Sequence, residues 1–110
     1  MYDVFAIYDH PSDPEAFNAH YERVHAPLTR RMPGLLEFEW GVAAPGSSVH
    51  VIARMTFADE ASADAGLTSP EGTAAVEDLQ NFAAAGVTVI RAPRALGTAV
   101  LGVEPADASR

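Results

Sequence analysis

Tyr21 and His25 stand four residues apart, a spacing that puts a phenol and an imidazole on one face of a helix. Imidazole changes charge near neutral pH, so His25 is a candidate general acid or base for an enolisable or phenolic substrate. Pro27 cannot donate to the carbonyl of Arg23, which predicts a helix kink beside His25. The pair also has a purely structural reading, with both side chains hydrogen-bonded to backbone or water near a bent helix end.

Two further groups carry chemical side chains. His50 and Arg54 fall on one face of a strand, about 7 Å apart along it. They would either flank a polar group of a ligand or pair with Glu37 and Glu39 of a neighbouring strand. Trp40 is a candidate wall of an aromatic slot, or a core residue. His20 and His25 are five apart, about 140° around an α-helix, and so cannot grip one metal ion as a four-residue pair does. His10 sits in a turn and is expected to face solvent, so no metal is expected. The sequence has no G-x-S-x-G elbow, P-loop or G-x-G-x-x-G turn, no lysine for imine chemistry and no cysteine. Proton-transfer chemistry survives this pruning, with no organic cofactor implied.

The chain has 110 residues, 48% of them hydrophobic, which indicates one packed domain. A fold of this size buries only about two-thirds of the surface its unfolded chain exposes, so a second copy is expected to complete the core. Fifteen acidic residues against seven basic ones, all arginine, give a net charge of −8. That is the wrong sign for nucleic acid or an anionic membrane. Asp3 stands where a targeting signal needs positive charge, and no apolar run approaches the ~18 residues of a membrane span. A soluble, cytoplasmic protein is expected.

The elements that must position these residues follow from local chemistry. Tyr2 to Tyr8 is rich in β-formers, with apolar side chains on both faces. Asp13-Pro14-Glu15 supplies a cap, a first-turn proline and an acid for a helix from Pro14 to about Arg31. Its buried stripe is expected to be Phe17, Tyr21, Val24, Leu28 and Met32. Strands are predicted over Leu35 to Val42 and Val49 to Phe57. Asp59 then opens a short helix to about Leu67, Ser69-Pro70-Glu71 opens another to about Ala84, and Val87 to Ala92 forms the last strand. The order predicts an α+β, ferredoxin-like fold: a four-stranded antiparallel sheet with helices on one face. Its other face, also apolar, calls for sheet-to-sheet homodimerisation.

The segment Phe17 to Gly34, F-N-A-H-Y-E-R-V-H-A-P-L-T-R-R-M-P-G, resembles the F-x-x-x-Y-x-x-x-H-x-P-L-…-P-G stretch of the EthD family. Ser69-Pro70-Glu71-Gly72, Asp78, Asn81-Phe82-Ala83 and Gly86-Val87 are similar to a second conserved region of that family. The resemblance implies the dimeric α/β-barrel superfamily, in which two ferredoxin-like sheets close face to face. The family is named for a protein required for ethyl tert-butyl ether degradation, and its members are often labelled reductases. Two positions depart from the pattern. His20 replaces a second aromatic beside Tyr21, and Ala85 replaces one of a glycine pair.

The expected function is a small cofactor-free enzyme whose cleft, lined by Phe17, Tyr21, Val24, Phe38, Trp40 and Phe57, binds a hydrophobic aromatic or polyketide-like small molecule. Tyr21 and His25 would catalyse its cyclisation, dehydration or isomerisation. The alternatives are a non-catalytic binding or accessory protein and a cofactor-independent monooxygenase. The EthD-like domain is placed at 1–93. Within 94–110, the apolar stretch Ala95 to Val103 is expected to dock on a sheet edge or the partner protomer, and the end to be disordered.

Overall fold

The computed structural model describes residues 1–94; the docking expected of the tail from Ala95 onward lies outside the described residues. Strand β1 (Tyr2–Tyr8) leads into helix α1 (Pro14–His20), a π-helical turn (Tyr21–His25) and helix α2 (Ala26–Arg30). Strands β2 (Glu37–Val42) and β3 (Val51–Phe57) follow, then helices α3 (Glu60–Thr68) and α4 (Pro70–Phe82) and strand β4 (Val87–Pro93). The sheet is fully antiparallel with order β2-β3-β1-β4, the ferredoxin-like arrangement.

The cap chemistry places the helices as expected. Asp13 accepts from the Ala16 amide at 3.1 Å, Asp59 from Ser62 at 2.8 Å and Ser69 from Gly72 at 3.0 Å. Register puts Val4, Ala6 and Tyr8 of β1 beside Met55, Ala53 and Val51 of β3, under the helices. Two apolar clusters form there, one around Val4, Met55 and Phe57, the other around Tyr8, Phe17 and Tyr21. The opposite face carries Phe5, Ile7, Ile52 and Ile90, and no layer covers it among the described residues; Ile52 and Ile90 are exposed.

The helix from Pro14 differs from a regular rod. At the π-turn the Ala26 amide bonds to the Tyr21 carbonyl, one residue further back than in an α-helix. The wider turn ends just before Pro27, which then sits in the first turn of α2, where its missing N–H leaves no gap. The turn also advances the buried stripe by one residue. Val24, expected inside, is 41% exposed, and the inward positions are Phe17, Tyr21, His25, Thr29 and Met32. A periodicity of 3.6 carried unbroken through this segment puts Val24 where His25 belongs, whereas Leu28 still packs on the core and Met32 is buried as expected.

The sheet edges also differ from expectation. Strand β2 starts at Glu37, leaving Leu36 exposed, and β3 starts at Val51, leaving His50 outside the regular strand.

Helices α3 and α4 meet at Gly66 and Gly72 across the Ser69 junction. A Cβ on Gly72 would fall on the backbone carbonyls of Gly66 and Leu67, which cannot move aside as a side chain can. Gly72→Ala is therefore expected to cost about 1–3 kcal/mol by overpacking. Thermal unfolding monitored by circular dichroism should show a midpoint lower by roughly 5–10 °C; an unchanged midpoint would mean that the two helices separate freely.

Candidate active site

The π-turn aims His25 into the space between the helices and the sheet. His25 is 5% exposed, and its Nδ1 lies 3.0 Å from Oδ2 of Asp78 on α4. Its Nε2 lies 3.4 Å from the Tyr8 hydroxyl at the end of β1. A carboxylate only accepts hydrogen bonds, so the His25 proton sits on Nδ1 and the Nε2 lone pair points toward Tyr8.

Asp78 is itself 6% exposed and is satisfied by three donors. Besides His25, His20 Nε2 lies 2.9 and 3.0 Å from its two oxygens, and Asn81 Nδ2 donates at 3.0 Å. Burial pushes the Asp78 carboxyl up, but the bonds from Asn81, His20 and His25 outweigh it and hold the group below its ordinary value. Three hydrogen bonds to a charged group, at about 1.5–3 kcal/mol each, are enough to offset a desolvation cost of several kcal/mol.

Burial lowers the His25 value, against the raising effect of Asp78, and the His20 charge lowers it further. The imidazole is thus neutral at physiological pH. Burial pushes the Tyr8 hydroxyl up to about 12 against a hydrogen-bonding contribution from Tyr21. Burial, followed by the Tyr8 phenol, raises Tyr21 as well. Both tyrosines therefore stay protonated and act as donors.

These groups border a cavity of about 500 Å³, counted out to its open mouth. Val4, Ala6, Ala53 and Met55 form its floor, Met32, Ala75 and Leu79 its helical wall, and the exposed Val76 and Val89 its rim. The lining is carbon apart from the side-chain polar groups of Tyr8, Tyr21, His25 and Thr29.

Of the side chains singled out in the sequence, Tyr21, His25 and Phe38 line this cavity. Phe17 packs behind it, edge-on to Tyr8 with ring centroids 5.5 Å apart, and Trp40 stands against Tyr21 at 4.5 Å. Phe57 is fully buried under α3 in the other cluster, and Val24 faces outward.

His50 and Arg54 do not form one locus. The chain bends before β3, so His50 turns to the helix side and reaches Asn18 at 2.8 Å. Arg54 stays on the opposite sheet face and pairs with Glu37 at 3.0 Å and Glu39 at 2.9 Å. His20 and His25, placed apart by α-helical spacing, converge on one carboxylate because the π-turn lies between them. Among the described residues no group of three His, Cys, Asp or Glu side chains is arranged to hold a metal. His10 is exposed, as expected, and bonds the Ser47 carbonyl.

Tyr8 and Asp78 were not singled out as chemical groups. The signal for Asp78 was an acid within the Ala75, Leu79 and Phe82 stripe of α4, where a solvated residue does not belong. Tyr8 ends an apolar strand and looks like any core aromatic.

The proton held off His25 has a stability signature. The folded value lies below the ordinary 6.5, so the unfolded chain binds protons more readily. The stability from a neutral His25 is complete above about pH 6.5 and is lost as pH falls through the folded value. In urea titrations, the stability advantage of the wild type over His25→Gln should narrow as pH falls from about 7 to about 5. A constant difference would show that His25 titrates alike in both states.

The EthD domain model matches residues 9–86 of the chain. An uncharacterized 11.0 kDa protein from the thcB-thcC intergenic region of Rhodococcus erythropolis is 37% identical over 94 residues, covering 82% of this chain and 91% of that protein. The crystal structure of an EthD family protein from Bacillus halodurans C-125 is 31% identical, with a TM-score of 0.80 over 86% of this chain and 99% of that one. A dimeric ferredoxin-like protein of unknown function from Thermobifida fusca YX shares the fold at 14% identity, with a TM-score of 0.65 over 82% and 87% of the two chains. With a family model spanning most of its length and relatives above 30% identity in both sequence and structure, the chain belongs to the EthD family.

Proposed function

We propose that the protein is a homodimeric enzyme that moves a proton on a hydrophobic, enolisable small molecule, with His25 as the base. One observation carries this reading: His25 lines an apolar cavity with its Nδ1 3.0 Å from a buried carboxylate, which leaves Nε2 as the ring atom available to a ligand. Enolisation is the step shared by cyclisation, dehydration and isomerisation of aromatic or polyketide-like ketones, and it needs only side chains.

The roles follow from the geometry. A ketone entering between Val76 and Val89 would place its α-carbon at Nε2 and its carbonyl oxygen at the Tyr8 hydroxyl. The resting contact of 3.4 Å between Tyr8 and Nε2 is long, so little is lost when a ligand inserts. His25 takes the C–H proton, Asp78 stabilises the resulting imidazolium, and Tyr8, always protonated, donates to the developing enolate oxygen. Tyr21 supports Tyr8 from behind.

Homodimerisation rests on the sheet face that the described residues leave uncovered and on the dimeric state of the ferredoxin-like neighbour from Thermobifida fusca. Burying Phe5, Ile7, Ile52 and Ile90 against a second copy removes an apolar sheet face from water. Light scattering should return twice the chain mass of 11.6 kDa, whereas a monomer at micromolar concentration would refute the assembly.

The chemistry is tested with 2-tetralone, an apolar aromatic ketone with exchangeable α-protons, followed by NMR in D₂O. Wild type should accelerate α-exchange above the buffer rate, and His25→Gln should lower that acceleration by about 10²–10⁴ while leaving affinity within a few-fold. Binding without accelerated exchange would favour the non-catalytic carrier instead.

A further inference from the structure

Asp78 is shared by two histidines, and they differ in what lies behind them. His25 faces the apolar cavity and is closed off from water. The His20 side chain, 26% exposed, forms part of a separate outer groove with Ser12, Asp13, Asn81 and Phe82. The buried carboxylate thus joins an interior imidazole to one in contact with solvent. Oδ2 of Asp78 is 3.0 Å from both His25 Nδ1 and His20 Nε2. Phe82 separates the two compartments, its ring centroid 4.7 Å from His25 and 5.1 Å from His20.

One carboxylate can neutralise one imidazolium. A charge on His25 would be cut off from water, whereas a charge on His20 keeps its hydration on the groove side. Of the two rings, His20 therefore has the surroundings that better tolerate a positive charge opposite Asp78, and a charge there would repel a second one on His25.

We propose that His20 is a positioning residue that holds this charge from the outer groove, so that His25 stays neutral, with Nε2 free, at pH values where an unshared Asp–His pair would take up a proton. The proposal rests on the reading of His25 as the base and adds what keeps that base available in mild acid. Among the described residues the groups facing the pair are few. Tyr8 of β1 and Tyr21 of the π-turn adjoin His25, Asp78 and Asn81 of α4 bond to the histidines' shared site, and Asp13 lies across the groove from His20. The tyrosines are uncharged, so the Asp78 carboxylate, the two imidazoles and the more distant Asp13 decide the balance.

The test is His20→Gln, which keeps an N–H donor for Asp78 but carries no charge. Protein with ring-labelled histidine is titrated while the His25 resonances are followed by NMR, and 2-tetralone exchange is measured over the same pH series. Without His20, Asp78 serves His25 alone, and the His25 midpoint should rise by about one pH unit, the effect of a single charge partner. The acid limb of the exchange profile should move with it, while the rate on the alkaline plateau stays within about twofold of wild type. In wild type at about pH 6, nitrogen shifts should show the charge on His20 and a neutral His25. An unmoved His25 midpoint, or a charged His25 beside a neutral His20 in wild type, would overturn the proposal. If 2-tetralone exchange is absent in wild type, the base assignment fails, and the titration still decides the role of His20.

Discussion

The buried carboxylate of Asp78 is the constraint on which the site depends. A charge in that position is tolerated only with its lone pairs filled, and the donors that fill them come from two parts of the chain. Asn81 lies one turn away on α4, while His20 precedes the π-turn between α1 and α2 and His25 ends it. The ion-pair network thereby pins α4 against the first helical segment at the point where the cavity opens. It also sets the His25 tautomer, since only a ring with hydrogen on Nδ1 can bond to Asp78 there. Packing, charge and proton position are consequences of one contact set.

The π-turn makes that contact set possible. In an unbroken α-helix, His20 and His25 would point about 140° apart, and one of them would miss Asp78. Widening one turn brings both to the carboxylate and moves His25 into the buried stripe that Val24 would otherwise occupy. The irregularity has a local cause in Pro27, whose ring would clash with the carbonyl four residues back in an unbroken α-helix and is accommodated in the first turn of α2 instead. Such widened turns concentrate at functional sites, as expected when a helix must present a polar side chain to its own core.

Much of the fold was legible in the chain. Asp13-Pro14, Asp59 and Ser69-Pro70 mark three helix starts, and the β-former runs mark all four strands, because caps and strand patterns are local signals. The family motif likewise stands in Phe17 to Gly34. The site was half legible: Tyr21 and His25 lie in one continuous motif, but Asp78 is 53 residues from His25 and Tyr8 is 17 residues from it, so their meeting is tertiary. Regular periodicity also misdirected the reading of Val24, and strand alternation misdirected that of His50, which leaves the strand one residue before β3 begins. Arg54 kept its partners because Glu37 and Glu39 are fixed by strand register.

The two faces of the sheet divide the labour of the fold. One supplies the cavity floor through Val4, Ala6, Ala53 and Met55, and the other presents an apolar surface of Phe5, Ile7, Ile52 and Ile90, with Arg54 tied to Glu37 and Glu39 at its polar end. Everything chemical on the cavity side converges on one nitrogen atom. Nitrogen NMR of the His25 ring at neutral pH tests that convergence most directly. The structure predicts a protonated, pyrrole-type Nδ1 and an unprotonated, pyridine-type Nε2; a proton on Nε2 would contradict a base facing the cavity.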